Sequence, residues 1–155
     1  ASKEAYFSNS AFVTGNSVWY NTPNATHFYT GNHDTINRNT NWMIAYLFAS
    51  CPGISKVGSY TGTGNNIDID CGFTNGARFV MIKRTDSSGD WFVMSSNLGI
   101  NTGNDPYLKI NTSNAQNSDG NADVINPLSS GFQVRTGYGA AINTSGGNYI
   151  YLAIA

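Results

Sequence analysis

Short runs of alternating apolar and polar residues recur along the chain, separated by turns rich in Gly, Asn and Ser. In the clearest run, ARFVMIKR at 77–84, every second side chain falls on the same face, as in a half-buried strand. The polar stretch 85–90 follows and has the composition of a turn, and WFVM at 91–94 then resumes an extended pattern. The two runs and their short connection predict a β-hairpin.

Further runs with the composition of strands predict an all-β fold. Leu, Glu, Lys and Arg, which are strong helix formers, are scarce, whereas Thr, Asn and Gly abound. Many short strands separated by Gly/Asn turns are typical of an antiparallel β-sandwich. The additional strands are expected at 18–20, 27–30, 43–49, 55–61, 67–71, 107–110, 132–136 and 149–154.

An internal repeat predicts the domain organisation. Residues 36–49 align with residues 142–155 at one offset, with identities at Ile36/Ile142, Asn37/Asn143, Ile44/Ile150 and Ala49/Ala155. Residues 50–155 are therefore interpreted as one complete β-sandwich module, and residues 1–49 as the second half of a preceding copy. A half-module would expose an uncovered apolar face, so we expect the chain to be part of a repetitive or oligomeric assembly.

Composition excludes several classes of protein. Charged residues make up 11% of the chain, against roughly 25% in an average soluble domain. The net charge of -1 and the 13% aromatic content argue against intrinsic disorder. The eight Lys and Arg are dispersed, so we expect no nucleic-acid partner. The apolar runs are too short to span a membrane as a helix, so we expect no membrane insertion.

Candidate chemistry is sparse, and the sequence predicts neither a cofactor nor a catalytic centre. Cys51 and Cys71 fit one disulfide or two free buried thiols equally well. Asp68 and Asp70 share one side of a predicted strand, but isolated aspartates of this kind are usually solvated. The loop 117–123 lacks the spacing of an EF-hand and is interpreted as an Asn/Asp/Gly turn without metal.

Aromatic side chains beside polar loops are the candidate ligand-binding residues. Sugars stack on aromatic rings and exchange hydrogen bonds with amide side chains, which both donate and accept. Tyr107 follows an Asn-Asp-Pro turn and Tyr138 lies between two glycines, so these two are expected to be exposed. Trp91 directly follows a turn but suits core packing at least as well. The candidate glycan-binding residues are Trp19, Tyr29, Trp91, Tyr107 and Tyr138.

Four ordered stretches carry a resemblance to a known type of module. They are CPGISKVGSYTGTG at 51–64, CGFTNGARFVMIKRTDSSGDW at 71–91, NPLSSGF at 126–132 and SGGNYIYLAIA at 145–155. Together they resemble the C-terminal-type β-module of phage tail-fibre proteins, especially those of marine and cyanobacterial phages. The resemblance covers residues 50–155 and extends more loosely over 11–49.

The resemblance implies a viral structural protein at the virion surface, outside the cell, in a fibre that is often a homotrimer. It implies contacts with other virion tail proteins and with a host cell-surface glycan or protein, and it brings no catalytic residues. Host attachment by non-covalent multivalent binding is the expected function. Two alternatives stay open, namely a purely architectural subunit of a fibre or capsid decoration, and a secreted carbohydrate-binding module.

Overall fold

A computed structural model describes residues 2–5, 12–15, 21–22, 24–32, 36–37, 39, 42–118, 122–136 and 141–155. These residues contain strands and turns and no helix, which confirms the predicted all-β class. The strands are β1 (Ser2–Ala5), β2 (Phe12–Gly15), β3 (Ser55–Thr61), β4 (Ile67–Asp70), β5 (Phe79–Arg84), β6 (Trp91–Ser95), β7 (Leu108–Lys109), β8 (Ile125–Leu128), β9 (Gly131–Val134) and β10 (Asn148–Ile154).

Two antiparallel sheets form the body of the fold. The larger has the strand order β3-β10-β5-β6-β7 and the smaller the order β4-β9-β8. The C-terminal strand β10 lies between β3 and β5, so sequence-distant segments meet at the centre of the larger sheet. Strands β1 and β2 form a separate antiparallel hairpin.

The core lies between the two sheets and is made by alternate residues of their strands. Val80 and Ile82 of β5 point inward with Met94 of β6, and all three are fully buried. The smaller sheet contributes Phe132, whose ring meets Tyr151 of the larger sheet edge-on with centroids 5.5 Å apart. This packing of two antiparallel sheets face to face is a β-sandwich.

Two buried polar side chains fasten the loops at the ends of the strands. The Asp105 carboxylate accepts the backbone N–H groups of Asn101, Val124 and Ile125 at 2.9–3.1 Å. Burial nevertheless raises the pKa of Asp105. The amide of buried Asn143 likewise donates to two backbone carbonyls and accepts the N–H of a third residue. Both side chains satisfy backbone groups that a loop would otherwise leave unpaired.

The predicted hairpin is present, with Ile82 opposite Phe92 in the β5–β6 register. The runs at 55–61, 67–71, 107–110, 132–136 and 149–154 each contain a strand, so these predictions are also confirmed, with ends shifted by up to two residues. The run at 18–20 lies outside the described residues.

Two strand predictions are wrong, those at 43–49 and 27–30. Residues 42–50 are exposed and join no sheet, and 27–30 contains only an isolated bridge at Thr30. The edge of β3 is closed to residues 43–49 because Ser50 occupies it. The Ser50 hydroxyl accepts the Val57 N–H at 3.1 Å and donates to the Val57 carbonyl at 3.4 Å. At Val57, the backbone groups that a neighbouring strand would use are therefore already bonded.

Candidate functional site

The free end of the larger sheet carries a polar cleft beside the short strand β7. The chain turns after β7 and returns so that Asn117 lies opposite Tyr107. Each residue donates its backbone N–H to the carbonyl of the other, at 2.9 and 3.1 Å. Thr112 stabilises the turn by donating its N–H and hydroxyl to the Lys109 carbonyl. The loop 110–117 is thereby held against the sheet rather than left open.

The cleft has a volume of about 220 Å³ and is lined mainly by polar side chains. Asn114 and Gln116 are exposed on the returning loop, and Asn117 donates its side-chain amide to the Tyr107 hydroxyl at 2.9 Å. Amide side chains offer donors and acceptors side by side, which is what a sugar hydroxyl requires. The lining residues are Tyr107, Lys109, Asn114, Ala115, Gln116, Asn117 and Ser118.

An ion pair fixes the charged wall of the cleft. The Lys109 Nζ lies 2.8 Å from Asp90 Oδ2 and 5.5 Å from the centroid of the Phe92 ring. The hydrogen bond to Asp90 raises the pKa of Lys109. Burial raises the pKa of Asp90, but the hydrogen bonds from Asn111 and Lys109 outweigh it and leave that pKa below its usual value. Both groups are therefore charged at neutral pH, and the ammonium has a fixed position.

Tyr107 lines the polar cleft, but the prediction that its side chain is exposed is wrong. Only 8% of its surface is accessible. The reason is that its ring packs on Phe92, with centroids 5.4 Å apart, as part of the core. A sugar therefore has no free Tyr107 ring face on which to stack, and the residue contributes through its hydroxyl at the cleft wall.

Of the other aromatic candidates, the two that the structure describes, Trp91 and Tyr29, do not line this cleft. Trp91 is buried in β6 and borders an apolar cavity on the outer side of the larger sheet. Tyr29 is half-buried in the N-terminal region, where its hydroxyl accepts the Asn24 side-chain amide at 2.9 Å. Trp19 and Tyr138 lie outside the described residues.

Sequence reasoning missed Lys109 and the amides of the returning loop. The available signal was the composition of residues 111–118, NTSNAQNS, directly after a strand. Such a run reads as an ordinary turn, and the backbone bridge between Tyr107 and Asn117 that shapes the cleft has no sequence signature.

The carboxylates considered for catalysis are occupied by structural partners. Asp68 accepts the Gln133 amide at 2.6 Å, and Asp70 accepts the Gly72 backbone N–H at 2.8 Å. Asp123, at the end of the candidate calcium loop, pairs with Arg135 at 2.9 Å. Within the described ranges, no three His, Cys, Asp or Glu side chains come together in a manner suited to a metal ion.

Cys51 and Cys71 are both free thiols and border one cavity of about 400 Å³. Cys51 is exposed, whereas Cys71 is buried near Tyr151. Burial raises the pKa of the Cys71 thiol. In the part of the chain that the structure covers, no helix has the length and apolar character needed to cross a membrane.

A family model matches nearly the whole length of the chain. The profile described as "Domain of unknown function (DUF7483)" matches residues 3–155. The chain belongs to this family. The boundary predicted between residues 49 and 50 lies inside the DUF7483 match, so the match includes residues on both sides of it. No curated protein and no solved structure matches this DUF7483 chain.

Proposed function

We propose that this DUF7483 chain is a virion-surface module of the tail-fibre type that attaches the particle to a host cell. It binds a cell-surface glycan or protein non-covalently, at the polar cleft beside β7 (Tyr107, Lys109 and residues 114–118). This assignment places it outside the cell with other virion tail proteins as neighbours, and gives it no enzymatic activity. It rests on the sequence resemblance to tail-fibre modules and on the chemistry of the cleft.

The observation that supports this function best is the composition of the cleft wall. Three amides, one hydroxyl-bearing tyrosine and one fixed ammonium surround the same 220 Å³ space. These groups bind neutral or weakly acidic hydroxylated ligands, because amides and hydroxyls both donate and accept. Asp68 and Asp123 bond to side chains of neighbouring strands or loops and so stabilise the fold. This agrees with a binding function rather than with hydrolysis.

The size of the cleft indicates weak binding by each copy. Pockets for small molecules usually enclose about 300–1,000 Å³, so this cleft holds one sugar unit or the end of a glycan. A single contact of this kind is short-lived. Several clefts on one particle, acting on one cell surface, increase the overall affinity by about 10²- to 10⁴-fold without a new contact.

A printed array of bacterial surface polysaccharides tests the attachment function. We expect the wild-type chain to bind a subset of the array, and the double variant Asn114→Ala/Gln116→Ala to lose at least about tenfold in signal on that subset. The matched control is Asn37→Ala/Asn39→Ala, which removes two exposed amide-bearing side chains from another part of the surface. Equal signals from both double variants, or no binding by the wild-type chain, would contradict the proposal.

An architectural role in a fibre is the second candidate, and the exposed apolar surface of residues 42–49 favours it. Trp42, Ile44 and Leu47 are largely exposed, and a solitary domain generally avoids such a cluster. In this role the chain would assemble without binding any of the polysaccharides. The same array therefore separates host attachment from a purely architectural role. The remaining alternative, a secreted carbohydrate-binding module, would bind the array as a monomer.

A further inference from the structure

The outer face of the larger sheet is a continuous apolar surface. Because side chains alternate along a strand, the residues that do not enter the core project from this face. The register aligns one such residue from each of the five strands into a single row, since each is paired with the next across the sheet. The row consists of Val57, Leu152, Met81, Val93 and Leu108.

The neighbouring rows extend this surface and add almost no charge. Ile150 and Ile110 flank the row on one side, and Phe79 and Ile154 flank it on the other. The charged residue at these outward positions is Lys83, which is fully buried opposite Trp91 and donates from Nζ to the Gly89 carbonyl at 2.8 Å. A partner for this face consequently has to be apolar and uncharged.

Residues 42–49, which we call the apolar segment, lie over part of this face. Tyr46 and Phe48 border two cavities together with the sheet, of about 750 and 410 Å³, and Ile44 borders the larger one. Both cavities are lined by Met81 and Leu152 as well, so the segment rests near the central row without filling the space around it. Ile44 and Tyr46 are each 80% exposed despite this contact.

The opposite side of the apolar segment is also apolar. Ala45 and Leu47 border a different cavity, formed with residues 24–28, and Leu47 and Met43 are exposed. An extended segment that is apolar on both sides is typical of a strand covered on both faces. The outer face of its own sheet can cover one side at most. Among the residues that the structure describes, only 24–28 border the other side, and they leave Leu47 71% exposed.

We propose that the outer face of the larger sheet and the apolar segment together form an interface with a second copy of this chain. The partner must present an apolar, uncharged surface, and a second copy presents the same one, as a self-complementary interface requires. The surface comprises the eight residues of the segment and the sheet residues that stay exposed beside it, among them Val57, Ile110 and Ile150. This is fewer than the roughly 20–30 residues per side of a stable complex and fits an association that depends on protomer concentration.

This inference rests on the proposed function, because it identifies the partner that makes attachment multivalent. Pairing of like copies brings two polar clefts into one particle. The cleft is lined by Tyr107, Lys109 and residues 114–118, and none of these belongs to the apolar segment, so substitutions in the segment leave the cleft intact. Assembly and glycan binding can therefore be disrupted separately.

Sedimentation velocity over a concentration series tests the interface. We expect the wild-type chain to sediment as a dimer or larger species at micromolar concentration, and Ile44→Glu/Leu47→Glu to sediment as a monomer. Both positions are highly exposed, so the variant should keep the circular dichroism spectrum of the wild-type chain. Ile54→Glu is the matched control, since Ile54 is 60% exposed and borders neither cavity on the sheet face.

The interface is wrong if the wild-type chain is monomeric up to about 100 μM, or if the double variant assembles as the wild type does. A monomeric double variant that still binds the polysaccharide array weakly supports both proposals. An assembled wild-type chain that binds nothing on the array supports the interface and contradicts the attachment function. Retained assembly in both the double variant and Ile54→Glu would place the interface elsewhere on the chain.

Discussion

Gly58 of β3 lies directly opposite Tyr151 of β10, and the tyrosine ring occupies the space that a side chain at position 58 would need. A Cβ atom at Gly58 would lie 2.5–2.8 Å from the outer ring atoms and hydroxyl of Tyr151. The ring lies there because it also packs against Tyr60 and Phe132, at centroid distances of 6.4 and 5.5 Å. An aromatic side chain folded over a glycine on an edge strand stabilises that strand.

The substitution Gly58→Ala is therefore expected to destabilise the fold by about 1–3 kcal/mol, because Tyr151 must leave a packed position. Urea denaturation followed by tryptophan fluorescence measures this loss. The matched control is Gly89→Ala, where the new Cβ would lie 3.1 Å from the Arg84 Cβ and should cost less. Equal stability of Gly58→Ala and the wild-type chain would show that Tyr151 does not hold this position.

The ion pair beside the cleft predicts a pH dependence of stability. Asp90 has a lowered pKa, so its contribution is present above its unfolded pKa of about 3.9 and is lost as the pH falls through its folded value. Lys109 has a raised pKa, so its contribution is present below about 10.4 and is lost as the pH rises through its folded value.

The substitution Asp90→Asn should accordingly lower the stability by about 0.5–1 kcal/mol at pH 7, because the pair is partly exposed. The difference from the wild-type chain should disappear at acidic pH, below the folded pKa of Asp90. Chemical denaturation at pH 7 and pH 2.5 measures both values. Asp70→Asn removes a carboxylate that accepts the Gly72 N–H and serves as the control. A difference that persists unchanged at pH 2.5 would contradict the electrostatic explanation.

The two thiols should differ in reactivity. Cys51 is exposed, whereas Cys71 is buried and burial raises its pKa, which lowers the fraction of reactive thiolate. We expect iodoacetamide to modify Cys51 in the native protein and Cys71 only after unfolding, as read by mass spectrometry. The variant Cys51→Ser should take up no label until it is unfolded. Labelling of either cysteine only after reduction would show instead that the two are bridged.

The sequence predicted most of the sandwich because its strands follow simple alternation. Residues 79–84 alternate between core and outer face as their pattern indicates. Strand β8 was missed because Asn126 and Pro127 resemble a turn. It is an edge strand, paired with β9 alone, and proline is tolerated at an edge.

Other features depended on contacts between distant residues and could not be read from local pattern. Residues 43–49 have the composition of a strand, but the Ser50 hydroxyl occupies the edge where they would pair. Tyr107 follows a polar turn, yet Phe92 of the neighbouring strand covers its ring. The two aligned segments of the repeat, 36–49 and 142–155, also lie in different environments, because Asn143 is buried and its counterpart Asn37 is exposed.

The central claim is that copies of this chain associate through the apolar surface and thereby attach to cells with many weak contacts. The most direct test compares polysaccharide-array binding by the wild-type chain with binding by Ile44→Glu/Leu47→Glu, at equal protomer concentration. We predict that the wild-type chain binds at least about 100-fold more tightly, because the variant keeps each cleft but loses their linkage. Equal affinity of the two proteins would contradict this account.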